Sequence, residues 1–142
     1  MAGAVWAPAT VAAAPVGRCP RGTASAVSAA YTTVFSRATQ LSADQRAASL
    51  ARGDDPSVRA LLERWLADDA GASSSVTVAS VRCTSRRRAI VDADLMLSGV
   101  TLPEVLPAGR AIREGGTWKV ALATFCHRLV LETPSLAGHC PE

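Results

Sequence analysis

Residues 115–129, GGTWKVALATFCHRL, set Cys126 directly beside His127, and His139-Cys140 repeats the pairing in reverse. A thiol next to an imidazole suggests a nucleophile with its base, and the two pairs together offer the ligand types of a zinc site. Spacing argues against both. Adjacent side chains point to opposite faces of a strand and diverge by about 100° on a helix, so His127 is not aimed at the Cys126 proton. A dyad would have to recruit His139, which lies in a Gly/Pro-bounded tail where a base is poorly held. Structural zinc sites use spacings such as C-x₂-C that let two ligands converge on one ion; directly adjacent pairs do not. The expectation is therefore no catalytic, cofactor-binding or metal-ligating set.

Composition bounds the rest. At 142 residues the chain fits one domain, and with half its residues apolar but few aromatic, the core must come mostly from Ala, Val and Leu. A net charge of +3 gives no reason to infer a nucleic-acid partner. No apolar run approaches the ~20 residues of a membrane span. Residues 1–22, Ala/Pro-rich and ending in CPRG, read as a disordered leader or the remnant of an export signal. Pro8 and Pro15 interrupt the apolar stretch, and no basic residue precedes Arg18.

From residue 23 the pattern changes. Val27, Ala30, Tyr31, Val34 and Phe35 form one helical stripe, with Thr23 or Ser25 as the expected cap. Ser42-Ala43-Asp44-Gln45 is a capping box for a short second helix, which Gly53 is expected to end in a left-handed conformation. Asp55-Pro56 starts a third, with the stripe Val58, Leu61, Leu62, Trp65 and Leu66, closed by Gly71. The period then switches to two. Val76, Val78 and Val81 lead to Cys83, a turn follows over Thr84–Arg88, and Val91, Ala93, Leu95 and Leu97 alternate with Asp92, Asp94 and Met96. After a proline-rich loop (102–108), a second hairpin of roughly 109–113 and 117–122 turns on Glu114-Gly115-Gly116. A closing helix is expected to bury Phe125, Cys126, Leu129 and Val130 and leave His127 wet.

Helices followed by strands imply an α+β domain over residues 23–133: three N-terminal helices packed on a curved four-stranded antiparallel sheet, with a short C-terminal helix. Residues 134–142 form a tail. Strand direction constrains the four cysteines. Cys83 ends the first strand, whereas Cys126 lies beyond the opposite end of the last, roughly 20–30 Å away at about 3.3 Å per residue. A disulfide needs Cα atoms within about 7 Å. Cys126–Cys140, tethering the tail, and Cys19–Cys83, pinning the leader, are the expected pairs.

AVSAAYTTVFSRAT, LSADQRAASLARGDD, VTVASVRCTSRRRAIVDADLML and LPAGRAIREGGTWKVALATFCHRLVLE occur in that order. This set resembles the mycobacterial low-molecular-weight secreted antigen family of actinobacteria. The resemblance covers about residues 24–132 and departs at Arg86-Arg87-Arg88, where a Ser-Pro-Thr-like turn is expected, and in the poor signal sequence. It implies a cone-shaped domain of the nuclear-transport-factor-2-like, or cystatin-like, kind, placed outside the cell or in its envelope, with no agreed catalytic residues.

Such a cone can enclose an apolar pocket, for which Tyr31, Phe35, Trp65 and Trp118 are the candidate lining. An isomerase-like enzyme of this fold would need an inward carboxylate, yet Asp92 and Asp94 alternate with the apolar residues and face away. Arg86, Arg87 and Arg88 suit a solvated turn or a contact with an anionic partner, lipid or acidic protein. The functional expectation is an exported, non-enzymatic domain of unknown molecular activity with a binding or host-facing, antigen-like role, its partner left open between a small apolar ligand and a cell-envelope or host component. A carrier of a small apolar ligand and an isomerase are the alternatives.

Overall fold

A computed structural model describes residues 18–37, 40–68, 74–102 and 108–141. The leader through residue 17, Gly71 and the central part of the proline-rich loop lie outside the described residues. The elements run α1 (Thr23–Phe35), α2 (Ala43–Ala47), α3 (Pro56–Ala67), β1 (Ser74–Ser85), β2 (Arg88–Leu97), β3 (Val100–Leu102), β4 (Gly109–Glu114), β5 (Thr117–Val120) and α4 (Leu122–Glu132). A 3-10 helix, Pro134–His139, follows.

Local rules explain the helix starts. The Ser42 hydroxyl accepts from the Gln45 amide and the Gln45 side chain accepts from the Ser42 N–H, so both halves of the capping box form. Asp55 caps α3 by accepting from the Ser57 amide, with Pro56 at the first helical position. For α1 the expected Thr23 or Ser25 cap gives way to Gly22, whose φ of 88° turns the chain in without a side-chain hydrogen bond. After α2 the left-handed residue is Arg52 (φ 60°) and not Gly53. Gly53 serves another purpose: a Cβ there would meet the Ala47 carbonyl oxygen at 1.9 Å.

The sheet is antiparallel and runs β1-β2-β4-β5, with β3 beside the far half of β2. Among the described residues five strands therefore stand where four are expected. Strand β3 is three residues long, too short to display an alternation, and Ser98-Gly99, both at positive φ, form the turn before it. In β1 the register shifts between Val78 and Ser80. That bulge moves the inward phase from Ser74, Val76 and Val78 to Val81 and Cys83, and it curls the strand. The outer edge of β5 is not left open: the Ser49 carbonyl accepts from the Val120 N–H, and the Ala51 N–H donates to the Val120 carbonyl.

Among the described residues, only α1 of the three N-terminal helices expected on the sheet lies directly against it, on β1 and β5, joined by α4 on β4. Helix α3 packs instead on α2 and the 3-10 helix and reaches the core through Trp65, which meets Phe35 and Phe125. Val27, Val34, Leu50, Leu62, Trp65, Val120, Phe125 and Leu129 are fully buried between the layers. The aromatic centre is a chain of rings in which Phe35 stacks on Phe125 at 6.1 Å and Trp65 meets Phe125 edge-on at 5.4 Å.

Candidate functional site

The Cys126-His127 pair is divided by helix geometry. Cys126 turns toward the tail and bonds Cys140, while His127 is exposed on the neighbouring face. His139 lies against Arg64, with Nδ1 2.8 Å from Nη1. Cys19 bonds Cys83, so neither thiol pair is free to ionise or ligate. Among the described residues no group of three His, Cys, Asp or Glu side chains stands close enough to hold a metal ion. The bonds close loops of 64 and 14 residues' separation. Such closures are worth about 4 and 3 kcal/mol respectively in the chain-entropy model.

A cleft opens between the sheet and helices α1 and α4. Tyr31 and Phe35 line it together with Val76, Val91, Ala93 and Arg128. It leaves ≈ 30 Å³ for a water-sized occupant, within ≈ 390 Å³ of empty space that includes the open mouth. Gly109 is required at its rim, because a Cβ there would approach the Tyr31 hydroxyl to 2.6 Å. The Tyr31 hydroxyl donates to the Arg110 carbonyl at 3.1 Å. Burial pushes that phenol well above its usual range, and a hydrogen bond with Thr124 offsets only part of the rise.

Two of the four residues expected to line a pocket do not. Trp65 is completely buried in the aromatic centre, and Trp118 belongs to a different surface. Strand register sends Asp92 outward, where it accepts from the Ser80 hydroxyl at 2.9 Å. Asp94 shares that face, opposite Thr77. Neither lines the cleft.

Periodicity misses the charged groups that matter most inside. Val130, expected in the core, is 39 % exposed, and Arg128 takes the inward position at 2 %. Its Nε donates to Glu132 at 2.7 Å, while the Ser74 hydroxyl holds the other Glu132 oxygen at 2.9 Å. The guanidinium lies over the Phe35 ring at 5.2 Å, and its Nη1 and Nη2 are buried with no hydrogen-bond partner among the described residues. Burial lowers the Arg128 pKa against the pull of Glu132. Arg46, 1 % exposed, donates to the carbonyls of Thr33, Val34 and Leu41 and so closes the C-terminus of α1. The only sequence hints are the i,i+4 spacing of Arg128 and Glu132 and the place of Arg46 just inside a capped helix.

The Arg triplet divides as well. Arg86 and Arg87 form the tip of the β1-β2 turn, and the Arg87 carbonyl accepts from the Arg113 amide. Arg88 is the first residue of β2, opposite Ile112. Arg86 alone of the three joins Arg21, Arg113 and Trp118 around an open surface cleft of ≈ 510 Å³.

Comparison with known families decides the relationship. A family model for the C-terminal domain of low molecular weight antigen MTB12 matches residues 20–134. The chain belongs to this antigen family. The match runs from just after Cys19 to the start of the 3-10 helix, and it includes the cleft, the buried Arg128–Glu132 pair and both hairpins. No curated protein and no solved structure matches the chain.

Proposed function

We propose that the protein is an exported, non-enzymatic domain that works by binding, in the antigen-like manner its family suggests. The observation that carries this reading is the pair of disulfides, one at each end of the domain. Bonds of this kind persist in oxidising compartments and are rare in reducing ones. The proposal extends to shape: the bulged, curled sheet with α1 and α4 against it fits a cone of the nuclear-transport-factor-2-like kind. An isomerase of that fold would require a carboxylate in the cleft, and the described lining supplies Tyr31, Thr124, His127 and Arg128 instead.

Mass spectrometry of native protein from the culture medium and from the cell interior tests the reading. The expected result is protein in the medium that resists alkylation before reduction and takes up four alkyl groups after it. Protein confined to the cell interior with reactive thiols would overturn it.

A further inference from the structure

We propose that the open cleft bordered by Arg21, Arg86, Arg113 and Trp118 binds a sugar phosphate, its phosphate dianion among the three guanidinium groups and its hydroxylated body in the adjoining groove. The proposal rests on the reading of the chain as a binding domain and names the class of ligand.

The charges come from three segments. Arg113 stands opposite Trp118 in the β4-β5 ladder, Arg86 is at the tip of the β1-β2 turn, and Arg21 precedes α1. The Cys19–Cys83 bond, with Cα atoms 5.0 Å apart, ties the segment of Arg21 to the strand that leads into Arg86. All three residues are exposed, and among the described residues none has an ion pair or a side-chain hydrogen bond. In contrast to the enclosed Arg128, they are within reach of a ligand.

A second surface cleft of similar size, ≈ 550 Å³, shows how exposed cations are matched elsewhere in the molecule. There Arg52, Arg59 and Lys119 stand with Asp44, Asp54 and Glu114. Arg59 bonds Asp44, and Lys119 lies 3.9 Å from Glu114. The Trp118 cleft, ≈ 510 Å³, has no carboxylate among its described lining residues. Glu114 follows Arg113 directly, but strand alternation turns it to the opposite face, toward Lys119.

Three cations on different sides of one cleft suit a tetrahedral dianion. A carboxylate has two oxygens in a plane and one charge, whereas a phosphate monoester has three terminal oxygens and nearly two charges. The first turn of α1 adds to the potential: Gly22, Thr23 and Ala26 line the cleft, and no side chain caps that turn. Thr23, 7 % exposed, makes no side-chain hydrogen bond among the described residues.

The neighbouring groove, ≈ 350 Å³, sets the body of the ligand. It shares Ala26, Gly116 and Trp118 with the cleft and continues past Thr33, Ser49 and Thr117. Its described lining is uncharged and offers hydroxyls, which match a sugar and not an acyl chain. A membrane headgroup fits less well, because the exposed large apolar side chains, Val100, Val130 and Leu131, lie toward the opposite end of the sheet. Val100 pairs with Leu97, and Val130 and Leu131 precede Glu132, which holds Ser74 opposite Leu97.

Titration of the isotope-labelled, oxidised full chain with glucose 6-phosphate, and with glucose as its neutral counterpart, tests this by nuclear magnetic resonance. Glucose 6-phosphate is expected to give saturable shifts at Thr23, Thr33, Gly116 and the Trp118 indole N–H. Glucose should bind about tenfold or more weakly, the loss expected for charge-assisted hydrogen bonds. Arg86→Ala with Arg113→Ala should weaken glucose 6-phosphate by a similar factor while the urea midpoint hardly moves, since neither side chain is buried. Arg87→Ala removes a charge from the same turn but not from the cleft lining, and should change the affinity by less than about twofold. Equal affinity for glucose, or undiminished affinity in the double variant, would overturn the proposal. So would a loss in Arg87→Ala as large as in the double variant, which would mean a diffuse field and not a site. No saturable shifts together with co-sedimentation on phosphatidylglycerol vesicles would move the anion to a membrane and equally sink it. If glucose 6-phosphate fails while oxidised protein is found in the medium, the ligand is wrong and the binding-domain reading stands. If the protein is confined to the cell with free thiols, that reading falls whatever glucose 6-phosphate does.

Discussion

Arginine meets tryptophan in two regions of this molecule. Around Trp65, which is wholly buried, Arg37 stands 5.0 Å and Arg46 5.9 Å from the ring centroid, with Arg128 over the adjoining Phe35. Around Trp118, Arg21, Arg86 and Arg113 border an open cleft and are solvent-exposed. The residue types are the same, but the solvent is not. Water screens and solvates the second group, so each cation there is nearly independent of its neighbours. In the first group every guanidinium depends on a named acceptor or ring, and the loss of one partner strands a charge.

The largest effect should therefore come from Glu132→Ala. It removes the carboxylate that accepts from Arg128 Nε and from the Ser74 hydroxyl, and the expected loss is about 3–5 kcal/mol, the range for an orphaned buried charge. Urea unfolding should show a lower midpoint with an unchanged slope. Replacing both partners, Arg128→Met with Glu132→Leu, should recover most of that loss. If the double variant is as unstable as the single one, the pair is held by more than mutual compensation, and the contrast between the two regions weakens.

Next in size is the tether of the tail. Cys126→Ser with Cys140→Ser opens a loop of 14 residues' separation and should cost about 3 kcal/mol. The 3-10 helix carries Leu136, 8 % exposed, onto the core, so freed amides over Pro134–His139 should exchange fastest. Uniformly faster exchange across the whole domain would mean that the bond acts globally instead.

How much of the fold and the cleft is legible in the sequence depends on the range over which each signal acts. The capping box at Ser42 and the Asp55-Pro56 start are local hydrogen-bond patterns, and both form as written. The first hairpin is legible from its alternation, whereas the bulge after Val78 is not, because the strand is read as one unbroken alternation up to Cys83. Strand β3 is not, because three residues carry no period. The cleft is half legible. Tyr31 and Phe35 lie on a periodic stripe, but a stripe cannot distinguish a residue beside a cavity from one beside another ring, and Trp65 is of the latter kind. Arg128 is hidden for a different reason. Patterning counts arginine as polar, whereas its long stem is apolar and its head can rest on a ring, so it takes the inward position expected of Val130.

A smaller effect is expected from acid at the α3 cap. Hydrogen bonds from the Ser57 side chain, Arg52 and the Ser57 backbone hold the Asp55 carboxyl at about 2, below its ordinary value. A carboxyl depressed on folding contributes stability that is fully present above its unfolded pKa, about 3.9 for aspartate, and is lost as pH falls through the folded value. Asp55→Asn keeps an acceptor for the amide but cannot ionise. The gap in urea midpoint between wild type and variant should be present at neutral pH and close as pH falls toward 2. The cap is exposed, so solvent keeps the gap small. A gap that persists undiminished in acid would place the stabilisation in packing and not in charge.

The smallest effect tests the other half of the comparison. Arg86→Ala and Arg113→Ala remove two of the three cations around Trp118, and neither side chain is buried. Each change should alter stability by less than about 0.5 kcal/mol, and the pair should be additive, because screened charges without shared partners do not couple. Trp118 is only 9 % exposed and is held mainly by the sheet, so its fluorescence should change little. The backbone bond from the Arg113 amide to the Arg87 carbonyl does not depend on either side chain and should keep the hairpin in register. A marked gain in stability on removing these arginines would show that their mutual repulsion is felt through the surface. The exposed group would then resemble the buried one more closely than its solvation implies.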